Sequence, residues 1–203
     1  RAELLQGAAG LSLAVAAVPD APPTARPAVA GNSRDAMPHR DGPGPLVIDL
    51  SSIWAGPLCG RLLALAGARV IKVESRARPE TMRQAWPKMF DRLNAGKESV
   101  ALDFDRTGDH ALLRALLARA DIVIGSARPR AFTQLGIEPG DFLVRNPRLA
   151  WVAITAHGWH GEGGDRVGFG DDAAAAAGLV ATEASGRPTF VGDAIADPLT
   201  GIA

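Results

Sequence analysis

The chain has 203 residues, 47% of them hydrophobic, and 22 Lys and Arg balance 22 Asp and Glu to a formal net charge of zero. A balanced charge supplies no field to gather a polyanion, so nucleic acid and anionic membrane surfaces are not expected partners. The single cysteine, Cys59, has no second thiol for a disulfide or a metal cluster, which favours a cytoplasmic setting, and the longest apolar run, Leu11 to Val18, is too short to span a bilayer.

Residues 1–18 contain an apolar stretch that reads either as the tail of a preceding segment or as a frayed extension. Residues 19–45 are rich in proline, glycine and mixed charge and cannot offset the ordering entropy of a packed element, so they read as a linker. The regular pattern of a single domain occupies 46–203. The chain opens on Arg1 and stops after "DPLTGIA", which reads as the opening of a helix, and a fragment of a longer protein is expected.

"LVIDL" (46–50) and "RVIKV" (69–73) are short apolar strands on either side of a helix that carries Leu62, Leu63 and Ala66, with Pro57 suited to its first turn. "SVALDF" (99–104) is a third strand. Thr107 can cap the next helix, whose Leu112, Leu113, Leu116 and Leu117 form an apolar stripe. "DIVIG" (121–125) and "LAWVAIT" (149–155) are further strands, with a helical stretch near "PRAFTQLG" between them. This alternation predicts an α/β fold with an open, mostly parallel, doubly wound sheet of Rossmann-like type. Ligands of such sheets sit beyond the carboxyl ends of the strands, so 50–56, 74–76, 103–105, 125–129 and 155–158 should share one rim.

Familiar phosphate motifs are absent. "NAGKES" lacks the first glycine and the Ser/Thr of a P-loop, "GFGDD" lacks a third glycine, and the histidines at 39, 110, 157 and 160 match no metal-ligand spacing, so no metal is expected. Lys97, just before a strand, fits a point charge for a phosphate as well as it fits a solvated loop lysine. Arg76, Arg78, Arg128 and Arg130 would add positive charge to the same rim, which suggests an anionic ligand. Asp171 and Asp172 precede "AAAAAGL" and can cap a helix there; Asp193 and Asp197 can do the same for the next one.

"GPLVIDLSSIWAGPLCGRLLALAGARVIKVES", "LNAGKESVALDFD", "ADIVIGSARPRAFTQLGI", "NPRLAWVAITAHG" and "FVGDAIADPLTG", in that order, resemble the class III CoA-transferases. Formyl-CoA transferase, carnitine CoA-transferase and α-methylacyl-CoA racemase are members of that family. The resemblance covers about Gly44 to Ala203 and implies coenzyme A or an acyl-CoA as substrate, a carboxylic acid as second substrate, and an interlocked homodimer about twice this length per chain. It places Trp54 and Ala55 at the coenzyme turn, with Ser75 or Arg76, Lys97, and Leu102, Asp103, Phe104 and Asp105 along the site. Ser126, Ala127 and Arg128, then Thr155, Ala156, His157 and Gly158, complete it. Gln134 stands where members often carry an arginine.

The resemblance further implies an aspartate that attacks the thioester. In register that position is Gly170, and Asp171 is one residue later. Asp193 matches the aspartate that the racemase uses for proton transfer, but Phe169 occupies the place of its histidine. Three readings follow: an acyl-CoA transferase acting through Asp171, a CoA-binding half without a nucleophile, and a racemase or isomerase, which Phe169 disfavours.

Overall fold

The computed structural model describes residues 2–20, 44–190 and 193–203, without the side chains of Glu162, Phe190 and Asp193. Most of the expected linker, residues 21–43, lies outside the described residues. Ahead of it is an exposed helix, α1 (Ala2–Gly10).

β1 (Leu46–Leu50), α2 (Ala55–Leu65) and β2 (Arg69–Ser75) form the first crossover, and two short helices, α3 (Met82–Ala85) and α4 (Pro87–Asn94), lead to β3 (Glu98–Leu102). α5 (Thr107–Arg119), β4 (Ile122–Gly125), α6 (Pro129–Gln134), α7 (Pro139–Arg145) and β5 (Ala150–Ala153) follow. α8 (Gly170–Ala176), a hairpin of β6 (Val180–Thr182) and β7 (Pro188–Phe190), and α9 (Asp193–Ile202) complete the order. The main sheet runs β3-β2-β1-β4-β5, with every pairing parallel. The expected strands and doubly wound topology are therefore present, and the strand order reverses between β1 and β4.

Strand alternation divides the core. Ile48, Ile71, Val73 and Val123 face α5 and α6, where they meet Leu113, Leu117 and Phe132. Val47, Val70 and Ile124 face α2, where they meet Cys59, Leu63 and Ala64. Asp49 and Lys72 continue the α2-facing series of their strands and lie opposite each other in register, at 0% and 1% exposure. This face of the core therefore ends in charge at the rim.

Several local expectations change. Arg106, not Thr107, stands at the N-cap of α5, and Thr107 is its first residue. Leu62 and Leu112 are exposed; α2 instead buries Ala55, Gly56, Pro57 and Gly60. That face is small because the chain approaches closely: a Cβ on Gly56 would lie 2.2 Å from the Cβ of Ser51. α9 begins at Asp193, so "DPLTG" is its interior rather than its opening.

α3 is tied to the end of β2 by Arg83, whose Nη2 lies 2.5 Å from Glu74 Oε2 and whose guanidinium also covers the Phe90 ring. Burial alone would raise the Glu74 pKa, but the Arg83 hydrogen bond, the Glu80 N–H and the Arg83 charge together lower it below its ordinary 4.5. A carboxylate whose folded pKa is lowered stabilises the fold above its unfolded pKa, and that contribution is lost as pH falls through the folded value. Glu74→Gln is therefore expected to lower stability at pH 7 and to leave it nearly unchanged under acid. Urea unfolding at several pH values checks this, and an equal loss at pH 7 and well below pH 4.5 contradicts it.

Candidate functional site

The turn between β1 and α2 is built on buried charge. Asp49 accepts from the Ser51 N–H at 3.0 Å and from the Ser51 hydroxyl, and its other oxygen meets Lys97 Nζ at 2.8 Å. Lys97 also donates to the Pro57 carbonyl (2.8 Å) and to Asn94 Oδ1 (3.0 Å). Lys72 pairs with Glu80 at 2.7 Å and donates to the Ser51 carbonyl at 3.0 Å. Glu80 Oε1 then accepts from the Ile53 N–H at 2.9 Å. The two ammonium groups thus fix the strand end and the first helical turn, and one carboxylate fixes the residue between them.

Ile53 needs such a partner. Its φ is +73°, the left-handed region that a β-branched residue rarely adopts. Beside it, the Ser52 N–H donates to Ser126 Oγ at 3.0 Å, which joins the turns after β1 and β4 at the point of strand reversal.

Two adjoining clefts of about 380 and 170 Å³ form a trough at this point. Ser126, Ile154, Thr155, Ala156, Gly168 and Phe169 border both. The larger is completed by Ala127, Arg128, His157, Gly158 and Arg166, among others, and the smaller by Ser52, Ile53, Ala55, Gly56, Gly170 and Asp197. The loop after β5 is held by Trp159, which packs on Phe132 of α6 with ring centroids 5.6 Å apart. The N-terminus of α2 opens into the smaller cleft, and Arg128 and Arg166 stand at the larger. Unpaired helix N–H groups and guanidinium groups favour an anion, while Ala156, Ile154 and Phe169 offer apolar contact.

Ser126, Ala127, Arg128, Thr155, Ala156, His157 and Gly158 come together on the trough walls with Ala55. Trp54, half-buried, is the N-cap residue of α2 beside them. Ser75, Arg76 and the 102–105 loop share the rim but wall neither cleft. The Leu102 side chain is in the core and its carbonyl accepts from the Arg76 N–H at 2.8 Å. Asp103 and Phe104 are engaged locally: the Asp103 N–H donates to Asp109, and His110 Nε2 lies 2.6 Å from the Phe104 carbonyl. The Asp105 N–H turns back onto Asp103, and Gln134 is an exposed residue at the end of α6.

Lys97 is the clear correction. It precedes β3 and so stands at the opposite end of that strand from the rim, and its side chain, 1% exposed, has three protein acceptors. Burial pulls its pKa below the ordinary lysine value, and Asp49 opposes that shift only in part. Its ammonium is held beneath the turn and borders neither cleft. Cys59 nearby is not an activated thiol, since burial, then the Asp49 charge, push its pKa up.

The carboxylates also separate. Asp172 is buried and turns back to accept from the Phe169 N–H, so it caps α8. Asp171 is half-buried, accepts from the Asp172 N–H at 2.8 Å, and borders neither cleft, whereas Gly170 borders the smaller one. Asp193 opens α9, and its side chain is outside the described residues. Asp197, one turn further along, is the carboxylate residue on the trough wall. Arg166 and Asp197 were not picked out for the trough by sequence; for Arg166, the only signal was a basic residue within the glycine-rich "GGDRVGFG".

A parallel sheet with a helix N-terminus and a two-part trough at its point of strand reversal is an open α/β fold, a class whose ligands sit beyond the carboxyl ends of the strands. Residues 43–203 match CoA-transferase family III, and the chain belongs to that family. It is 33% identical over 184 residues to a succinate–glutarate CoA-transferase of Agrobacterium fabrum, covering 82% of this chain and 46% of that protein. A probable fatty acyl-CoA transferase of Mycobacterium tuberculosis is 36% identical over 151 residues, 70% of this chain and 37% of its own length. A crystal structure of that mycobacterial protein superposes with a TM-score of 0.72 at 32% identity, covering 82% of this chain and 48% of that one. The CAIB/BAIF family protein from Brucella suis gives 0.70 at 31% identity, over 78% and 45%. The chain thus spans less than half the length of these relatives.

Removing one partner of a buried ion pair strands the other charge. Lys97→Ala is expected to cost about 3–5 kcal/mol of folding stability, measured by urea unfolding of the full-length protein. Unchanged stability with weakened CoA binding would put the ammonium at the ligand instead.

Proposed function

We propose that this chain forms the coenzyme-binding half of an enzyme that moves coenzyme A from an acyl-CoA thioester to a carboxylic acid. The observation that carries the reading is the trough itself: family membership supplies the ligand class, and Ser52, Ile53, Ala55 and Gly56, Ser126 to Arg128 and Thr155 to Gly158 wall two adjoining clefts at which α2 offers its N-terminus to an anion. Coenzyme A is long, anionic at one end and uncharged at the thiol end. Arg128 and Arg166 suit its phosphates, and the apolar stretch around Ile154 and Phe169 suits the pantetheine arm. The proposed setting is the cytoplasm and the proposed assembly a homodimer of the full-length chain; no helix among the described residues is long and apolar enough to cross a membrane.

The proposed relay uses an aspartate, with Asp171 as nucleophile and Asp193 close to the thioester. The carboxylate attacks the thioester carbonyl carbon, the new C–O bond forms, the C–S bond breaks, and CoA leaves as a thiolate. The thiolate then attacks the aspartyl carbonyl of this mixed anhydride, releasing the donor acid and leaving an aspartyl-CoA thioester. The acceptor carboxylate attacks that thioester, and the thiolate finally takes the acceptor acyl group and restores the aspartate. Each exchange attacks an activated acyl derivative, an anhydride or a thioester, which divides one hard step into easier ones.

A second reading has its own observation. Gly170 borders the cleft at the position where the family register calls for the nucleophile, while the Asp171 carboxylate turns to a backbone N–H outside it. On that reading the chain binds CoA without forming a covalent intermediate. The two separate cleanly when the full-length protein is incubated with an acyl-CoA and hydroxylamine. The transferase reading predicts an aspartyl hydroxamate at residue 171, lost in Asp171→Asn with CoA affinity kept within a few fold. CoA binding with no hydroxamate supports the second reading, and a hydroxamate that persists in Asp171→Asn but vanishes in Asp197→Asn moves the nucleophile to α9.

A further inference from the structure

We propose that Glu80 is a positioning residue for the coenzyme site, acting through Ile53: its carboxylate holds the Ile53 amide and thereby keeps the turn after β1 in the shape that walls the trough. The inference rests on the reading of that trough as the CoA site. Glu80 itself lines neither cleft and is 7% exposed. One of its oxygens accepts from the Ile53 N–H at 2.9 Å, and the other pairs with Lys72 at 2.7 Å.

The chemistry of the turn makes this contact consequential. Ile53 holds a φ of +73°, where its branched Cβ crowds the backbone, so the isolated tripeptide would leave that conformation. Relaxation to negative φ would rotate the adjoining peptide, withdraw Ser52 and Ile53 from the smaller cleft, and re-aim the first N–H groups of α2. The residue that prevents it comes from the segment between β2 and α3, 27 positions away in sequence. Lys72 in turn fixes Glu80 and donates to the Ser51 carbonyl, so the clamp grips the turn at two points. A charged group held below the site, with one oxygen spent on a strained amide, sets the shape of the site at a distance from the ligand.

The test compares Glu80→Gln, Glu80→Ala and Glu80→Ala with Ile53→Gly in the full-length protein, with CoA affinity measured by calorimetry and Tm by scanning. Glycine adopts positive φ without strain, so it removes the need for the clamp; because Ile53 borders the smaller cleft, Ile53→Gly alone is the reference for the double variant. Glu80→Ala is expected to weaken CoA binding about tenfold or more, and the added Ile53→Gly to recover most of that loss while Tm stays low. Glu80→Gln retains a carbonyl acceptor for the amide and is expected to lose Tm with little change in affinity. If Glu80→Ala does not fold, Lys72→Met with Glu80→Met removes the charge pair together and takes its place in the comparison. Affinity that follows Tm across the series, with no recovery from Ile53→Gly, overturns the positioning role. An unaltered protein that binds no CoA overturns the site reading, and the positioning role with it.

Discussion

The ion pair between Lys97 and Asp49 ties the segment before β3 to the end of β1 beneath the trough, and the local order above it depends on that tie. Two ammonium groups and two carboxylates meet here, and two of them, Asp49 and Lys72, stand two positions after Val47 and Val70 on the same face of their strands. Moving such charges out of water costs several kcal/mol per ion, which is offset only when every charge finds close partners. Here they do: Asp49 holds Ser51 and Lys97, Lys97 reaches the Pro57 carbonyl, Lys72 reaches the Ser51 carbonyl, and Glu80 reaches the Ile53 amide. A layer of aliphatic side chains would fill the same space without dictating where those four backbone groups point. By contrast, the solvent-exposed Arg69–Glu98 pair, though short, contributes little to either stability or shape.

That layer explains why the rim can present a turn with no spaced glycines. A dinucleotide fingerprint uses glycine to bring the backbone close to a phosphate. In this chain the tight approach is made by Gly56 and the left-handed residue is Ile53, so the turn is shaped by its support from beneath as much as by its own flexibility. The Ser52–Ser126 bond then links the turn to the loop after β4, and Trp159 anchors the loop after β5 to α6. Three loops from three strands thereby meet at one place, each fixed by a different kind of contact.

Much of the frame was legible in the sequence because apolar runs of four to seven residues, punctuated by glycine and proline, report buried parallel strands directly. The short helices α3, α4 and α7 and the β6–β7 hairpin were not, since elements of three to eight residues carry too few apolar positions to establish a period. The surroundings of Lys97 were hidden for a related reason. A lysine before a strand says nothing about which neighbour its ammonium will find, and its partner lies 48 residues away. The usable signal was elsewhere: Asp49 in "LVIDL" and Lys72 in "RVIKV" interrupt otherwise apolar strands on one alternating face, and charges so placed must be paired inside the protein. Leu62 and Leu112 likewise matched a helical stripe but fell at its edge, where tertiary packing and not periodicity decides exposure.

The account stands on one claim, that a buried charge layer shapes the trough proposed to take the coenzyme, without lining it. Amide hydrogen–deuterium exchange of the full-length protein, with and without CoA, tests this most directly. The account predicts new protection on CoA addition in peptides covering 52–56, 126–131 and 155–158, and already slow, CoA-independent exchange in the peptide covering 70–73. Protection that appears in the segments around Lys97 and Lys72 but not in the three loops would contradict it.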